Sequence, residues 1–104
     1  MNRRPTQSYT ELRRYMEKWQ WRDPRTGIMA TGYVYPETAR ELQRQPFYIK
    51  FLTKTGHVDC GVCVCLAVDT NRHQRKVQFV ESKEIRIVND ILVIEVDGTR
   101  FITH

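Results

Sequence analysis

The sequence predicts an α+β fold in which an N-terminal amphipathic helix and a short second helix pack on a curled antiparallel sheet. Strand-like runs, separated by short turns, fill the chain from residue 47 onward, and no helical pattern interrupts them. They predict a five- or six-stranded sheet or a small SH3-like barrel. The runs are Phe47 to Thr53, Val58 to Val68, Lys76 to Val80, Glu84 to Val88, Ile91 to Val96 and Thr99 to Thr103.

The length of the chain, 104 residues, predicts a single domain spanning residues 1–104. A chain of this size can bury a core without disulfides or metal ions. We expect this domain to have a helical part over residues 1–46 and an all-β part over residues 47–104, divided at Pro46.

The first helix is predicted from a capping signal and an apolar stripe. Ser8 is followed three residues later by Glu11, which is the spacing of a capping box. Apolar side chains then recur at helical intervals. They are Leu12, Tyr15, Met16 and Trp19. The stripe predicts a helix that lies on the sheet with its aromatic face inward, although a helix that binds a membrane surface or a partner would look similar.

A turn and a second helix are predicted between residues 20 and 46. Asp23 to Gly27 has proline and glycine where a tight turn requires them, and Ile28 to Tyr35 has room for a short strand. Pro36 at a first-turn position, followed by Glu37 to Leu42, indicates a helix of two to three turns that Pro46 ends.

The turns of the second half are well defined. Thr53 to Gly56 predicts a tight hairpin, and Asp97-Gly98 favours a type I′ turn. Asn89 marks a further reversal, while Asp69 to Arg75 is the longest polar connection. Gly61 interrupts an apolar run, which predicts a bulge or a bend that helps the sheet curl.

The order of elements from Phe47 to Val96 resembles the Sm-like and SH3-like small barrels. A helix precedes a strand that ends at a turn glycine, Gly56; a second glycine, Gly61, and an aspartate, Asp69, then come before the third strand. The resemblance implies a curled small barrel and assigns no binding residues.

The three cysteines all fall in one predicted strand. Their thiols, with the imidazole of His57, are the ligand types of a zinc site, and the four residues are His57, Cys60, Cys63 and Cys65. Alternation along a strand, however, places Cys63 and Cys65 on one face and Cys60 on the other. We therefore expect small core residues, no cofactor and no disulfide framework, with zinc as the alternative.

Positive charge is concentrated in the N-terminal part. Residues 1–46 hold nine Lys and Arg against five Asp and Glu, a net charge of +4, whereas residues 47–104 hold eight against seven. A basic arm and a smaller basic cluster at residues 72–76 predict contacts with phosphates. The candidate nucleic-acid-binding residues are Arg3, Arg4, Arg13, Arg14, Lys18, Arg72, Arg75 and Lys76.

Catalysis is not expected, because no motif pairs a nucleophile with a base. The histidines lie in predicted turns or at the end of the sequence, and a thiol buried in a strand is usually unreactive. The sequence instead predicts a small binding module, with nucleic acid as the most testable ligand. The alternatives are a protein–protein interaction module of a larger assembly and a zinc-stabilised domain.

The expected location is the cytoplasm, and no membrane contact is expected. The basic start, Met1 to Gln7, lacks the apolar core of a secretory signal, and Val58 to Val68 is about half the length of a membrane-spanning helix. The partner, nucleic acid or protein, and the oligomeric state are left open by the sequence.

Overall fold

A computed structural model describes residues 6–8 and 11–102, and this part of the chain is built mainly from antiparallel strands in two sheets. It contains ten strands and one helix of four residues, α1 (Arg13–Met16). The strands are β1 (Thr6–Ser8), β2 (Trp19–Arg22), β3 (Met29–Gly32), β4 (Arg40–Arg44), β5 (Phe47–Leu52), β6 (Val58–Asp69), β7 (Gln74–Phe79), β8 (Ile85–Asn89), β9 (Val93–Val96) and β10 (Thr99–Ile102).

The large sheet has seven strands in the order β1-β10-β9-β5-β6-β7-β8. Neighbours pair in antiparallel fashion, except that β1 runs parallel to β10. No pairing between the described residues joins β8 to β1, so the sheet stays open. The predicted barrel is therefore wrong in its closure, and the structure does not support the SH3-like barrel that the resemblance implies.

The six strand runs predicted after residue 46 are all present, with small shifts at their ends. The starts of β7 and β9 shift the most: β7 begins earlier than predicted, at Gln74, and β9 begins later, at Val93, because Asp90–Leu92 forms a 3-10 turn before it. The connection between β6 and β7 is also shorter than predicted: it spans residues 70–73, and Arg75 and Lys76 belong to β7.

The long strand β6 joins the two halves of the large sheet. Its first half pairs with β5 and its second half with β7, with a register shift between Cys65 and Ala67. The predicted bulge at Gly61 is absent, since Gly61 pairs in register with Ile49. Gly61 has a φ of +155°, and the ring of Phe79 covers the place where a Cβ would stand, 3.0 Å away.

The core lies on the face of the large sheet that receives α1. In β5 every second residue is buried, as expected for a strand with one face packed against a core. The helix and its N-cap contribute Met16 and Leu12, both fully buried. The other core residues are Phe47, Ile49, Phe51, Cys63, Cys65, Val77, Phe79, Val88, Val93, Val96 and Phe101.

The predicted helical N-terminal part is wrong in both helices. Ser8 lies in β1, so no capping box forms, and Leu12 caps α1 without a side-chain hydrogen bond. The helix ends at Met16, and Trp19 enters β2, where it pairs with β3 and β4. Leu12 and Met16 do face the core, with Tyr15 packed against it, but the predicted stripe is divided between a helix and a strand.

The predicted second helix is replaced by β4. Within it Glu41 has a φ of +51°, which a helix excludes, and the register with β2 shifts beside that residue. A short segment with few apolar side chains gains little from helix packing, so pairing with β2 prevails over its weak helical preference. The small sheet that results has the order β3-β2-β4, and β3 confirms the short strand expected between Ile28 and Tyr35.

The predicted turns are observed in both halves of the chain. Asp23 accepts a backbone hydrogen bond from Gly27 at 2.8 Å, and Thr53 accepts one from Gly56 at 3.0 Å. Asp97 and Gly98 both have positive φ, +48° and +86°, as a type I′ turn requires. The predicted turns therefore connect the strands at the positions that the sequence predicts.

Candidate nucleic-acid interface

The segment that carries Arg13 and Arg14 contacts Tyr33, the residue that follows β3 of the small sheet. The Tyr33 hydroxyl donates a hydrogen bond to the backbone carbonyl of Arg14 at 2.8 Å. The Arg13 guanidinium carbon lies 5.7 Å from the centroid of the same ring. Together with Glu11 these residues line a shallow pocket of about 330 Å³. A cation pair and a partly exposed ring thus share one concave surface.

Local chain reversals explain why these residues meet. β2 follows α1 after two residues, and Trp19 at its start pairs with Gly32 at the end of β3. Tyr33 comes directly after Gly32, so this pairing returns Tyr33 to the end of the chain segment that carries α1. Strand pairing in the small sheet, rather than a helical stripe, therefore builds the pocket.

A second group of aromatic side chains lies on the same small sheet. The Arg44 guanidinium carbon stands 3.9 Å from the centroid of Trp19, which is a close cation–π contact. Tyr35 packs edge-on against Trp19, with ring centroids 5.3 Å apart. The centroid of its ring lies 6.4 Å from that of Trp21, and these two rings are tilted relative to each other. Trp21 is buried, whereas Tyr35 is 41% exposed.

The two groups are linked through Glu17. Arg44 donates a hydrogen bond from Nη1 to the Glu17 carbonyl at 2.7 Å, while the Glu17 carboxylate pairs with Arg13 at 3.6 Å. We call the combined set of side chains the Tyr33 surface. It consists of Arg13, Arg14, Trp19, Tyr33, Tyr35 and Arg44.

The ion pairs of the Tyr33 surface are weak ones. Arg13 pairs with Glu17, and Arg14 pairs with Glu11 at 3.3 Å, but the arginine side chains are about 70% exposed (70% and 71%). Exposed pairs of this kind contribute little because solvent screens them. Both guanidinium groups therefore stay accessible to an anion that approaches from solvent.

The other predicted contact residues do not join this surface as one patch. Arg3 and Arg4 lie outside the described residues. Lys18 is half-buried and has no ion pair among residues 11–102, and Arg72 pairs with Asp69 at 3.9 Å. Lys76 is exposed, in the stretch of β7 where exposed and buried residues alternate.

Arg75 is buried rather than exposed, and it holds two carboxylates. Its guanidinium group pairs with Glu17 and with Asp90, the latter at 3.2 Å from Nε. Burial raises the pKa of the Asp90 carboxyl, and Glu17 raises it further, against the lowering effect of Arg75 and His73. This network ties α1 to β7 and to the 3-10 turn, so Arg75 has a structural role and is not offered to a phosphate.

The cysteines are divided between the two faces of β6, as alternation predicts. Cys63 and Cys65 are buried, and burial raises the pKa of both thiols, that of Cys63 to about 12. Cys60 is exposed, and its side chain is the main cause that raises the pKa of the neighbouring Tyr48. Among the described residues no three His, Cys, Asp or Glu side chains are grouped as metal ligands.

Sequence reasoning missed Trp19, Tyr33, Tyr35 and Arg44 as members of a surface. Tyr33 and Tyr35 stand two residues apart after a strand, a spacing that favours the same side of an extended chain. No sequence pattern indicates that Arg44 belongs to this surface, because its position over Trp19 depends on the pairing of β2 with β4.

Comparisons with protein-family models, with curated proteins and with solved structures found no match for this chain. Within the part of the chain that the structure describes, no helix has the length and apolar character needed to cross a membrane.

Proposed function

We propose that the protein is a non-catalytic binding module and that the Tyr33 surface binds single-stranded nucleic acid. The observation that carries the proposal is the pocket that Arg13, Arg14 and Glu11 line together with the partly exposed ring of Tyr33, which lies 5.7 Å from the Arg13 guanidinium carbon. Proteins that bind single strands combine cations for the phosphates with aromatic rings on which bases stack. The pocket offers both within one concave surface.

The neighbouring aromatic group extends the proposed site. Tyr35 is exposed beside Trp19, whose ring is covered by the Arg44 guanidinium at 3.9 Å. A second base would stack on Tyr35, since every base has a face that suits an aromatic ring. Arg44 would remain close to the phosphate that joins the two bases, which favours a strand laid along the small sheet.

The proposal narrows the predicted set of contact residues. Arg13 and Arg14 are retained, whereas Lys18 is half-buried and is not part of the Tyr33 surface. Arg75 is withdrawn, because two carboxylates hold it in a buried network. Arg72 and Lys76 serve as controls, since within residues 11–102 no hydrogen bond, ion pair or ring contact joins them to the Tyr33 surface.

The test measures the binding of labelled single-stranded oligonucleotides of about 16 nucleotides by fluorescence anisotropy. We expect Tyr33→Ala to weaken binding about 5- to 150-fold, the loss that one stacked base accounts for. Replacing Arg13 and Arg14 by glutamine should weaken binding and reduce the slope of log K against log salt by about 1.4, or 0.7 per phosphate contact.

The matched control is Arg72→Gln, which removes a candidate cation outside the Tyr33 surface. It should leave the affinity and the salt slope close to those of the unchanged protein. Circular dichroism of each variant checks that the fold is retained. Binding that is insensitive to salt, or that Arg72→Gln weakens as much as Tyr33→Ala does, contradicts the proposal.

A further inference from the structure

The pocket of the Tyr33 surface, which we call the Tyr33 pocket, contains a carboxylate that phosphate binding does not explain. Glu11 lines this pocket together with Arg13, Arg14 and Tyr33. The two arginines suit phosphate oxygens and the ring suits a base, but a carboxylate repels a phosphate that comes close to it. A ligand that enters the pocket must therefore bring a group other than phosphate to Glu11.

The Glu11 carboxylate has acceptor sites that the protein leaves open. It pairs with Arg14 Nε at 3.3 Å, yet it accepts no hydrogen bond from any residue that the structure describes. Its side chain is 39% exposed, so a ligand can reach it from solvent. An ionised carboxylate has two oxygens that accept hydrogen bonds and no donor. The group that satisfies it best is a pair of N–H donors that lie side by side.

The Tyr33 ring is tied to the segment that carries this carboxylate. The Tyr33 hydroxyl donates a hydrogen bond to the backbone carbonyl of Arg14 at 2.8 Å, and Arg14 is three residues from Glu11. The pocket has a volume of about 330 Å³, at the lower end of the range of about 300–1,000 Å³ for small-ligand pockets. It therefore suits a single base that stacks on the ring and turns its polar edge toward Glu11.

The bases differ in the donors on the edge that a single strand exposes. Guanine carries N1–H and the N2 amino group side by side. Adenine and cytosine carry one amino group next to an acceptor, and thymine or uracil carries one N–H between two acceptors. Proteins that read single strands form hydrogen bonds to these edges of unstacked bases. Guanine alone therefore supplies a donor to each oxygen of a carboxylate.

We propose that the Tyr33 pocket selects guanine from a single strand, an inference that rests on the proposed binding of nucleic acid at the Tyr33 surface. The guanine stacks on the Tyr33 ring, and its N1–H and N2 amino group donate hydrogen bonds to the two oxygens of Glu11. The exposed guanidinium groups of Arg13 and Arg14 pair with neighbouring phosphates. Glu11 thus determines base specificity, while the arginines supply affinity that does not depend on sequence.

The test compares three labelled single strands of equal length, about 16 nucleotides, by fluorescence anisotropy in a lithium salt, which disfavours guanine quadruplexes. One strand alternates guanine with thymine, one alternates hypoxanthine with thymine, and one is thymine alone. We expect the guanine strand to bind about 5- to 150-fold more tightly than the thymine strand, the discrimination that one bidentate base contact supplies. The hypoxanthine strand, which lacks the N2 amino group, should have an affinity between the two.

A variant of Glu11 tests its role directly. Glu11→Gln removes one acceptor and the negative charge at nearly constant side-chain size, so most of the preference for guanine should disappear. Binding of the thymine strand should strengthen by up to about fivefold, because a negative charge leaves the phosphate site. The matched control, Glu81→Gln, makes the same change in the turn between β7 and β8 and should leave the affinities for all three strands unchanged.

The outcomes separate this inference from the proposed function. If the three strands bind equally, or if Glu11→Gln keeps the preference for guanine, the inference is overturned, while a loss of binding in Tyr33→Ala would still support the proposed function. If none of the three strands binds, both proposals are wrong.

Discussion

The large sheet and the small sheet are stabilised by different kinds of side-chain interaction. The large sheet packs one face into a continuous core and encloses an arginine between two carboxylates. The small sheet has a single buried apolar side chain among its described strands, Trp21, and relies on aromatic and cation–π contacts that stay partly exposed. Burial therefore dominates one region, and contacts at the surface dominate the other.

This difference has a functional consequence. Groups that are buried and paired, such as Arg75, are withdrawn from any ligand. Groups held by exposed contacts, such as Arg13 over Tyr33, keep both their geometry and their access to solvent. The small sheet and its neighbour α1 are therefore the better place for a binding surface, although Arg75 is as basic as Arg13.

The sharpest test of the comparison replaces one arginine in each region by methionine. Arg75→Met leaves Glu17 and Asp90 without their shared cation, so we expect the free energy of unfolding to fall by about 3–5 kcal/mol. Arg22→Met breaks an exposed ion pair with Glu41 and should cost at most about 1 kcal/mol. Urea denaturation measures both.

A rescue experiment separates charge from packing in the first variant. Adding Glu17→Gln and Asp90→Asn to Arg75→Met removes the uncompensated carboxylates, and most of the lost stability should return. If Arg22→Met is as damaging as Arg75→Met, the contrast between the two sheets is wrong.

A smaller effect is expected from matched glycine substitutions. Gly61→Ala forces a Cβ to within 3.0 Å of the Phe79 ring at a φ of +155°, and we expect a loss of about 1–3 kcal/mol. Gly32→Ala places its Cβ at 3.4 Å from the Trp21 ring, an ordinary contact, and should change stability by no more than about 0.5 kcal/mol. Thermal unfolding of the two variants compares them directly; equal losses would show that the small sheet is as tightly packed as the large one.

The smallest effect concerns the pH dependence of the buried network. The pKa of Asp90 is raised above its ordinary value of 3.8, so the folded protein holds this proton to a higher pH than the unfolded chain does. The contribution of Asp90 to stability therefore decreases as the pH rises from 3.8 through the raised pKa. Relative to Asp90→Asn, the unchanged protein should lose unfolding free energy over that interval in urea titrations. A rise over the same interval would mean that pairing with Arg75 outweighs burial.

Much of the large sheet follows from the sequence. Alternation from Phe47 onward predicts all six strands, and the turn at Asp97 has the residues that positive φ requires. Alternation also separates Cys60 from the buried Cys63 and Cys65. These features are readable because they depend on neighbours within a few residues.

Helical spacing predicts the N-terminal part wrongly, because its local pattern is weak. Leu12 and Met16 have helical spacing and do reach the core, but the helix ends at Met16. Trp19 fits the same spacing and yet lies in β2. Pairing with β3 and β4 stabilises this segment more than one additional helical turn would. The helical preference of so short a segment is small, and strand pairing easily overcomes it.

The sequence by itself determined where the six strands from Phe47 onward lie, which cysteines face the core, and that the N-terminal part carries most of the net charge. Only the tertiary structure decided that the sheet stays open at β8, that Arg75 is buried between Glu17 and Asp90, and that Arg13 and Arg14 meet Tyr33. The reason is physical: alternation and turn chemistry act between near neighbours, whereas the partner of a charge or of a strand edge is set by segments far apart in sequence.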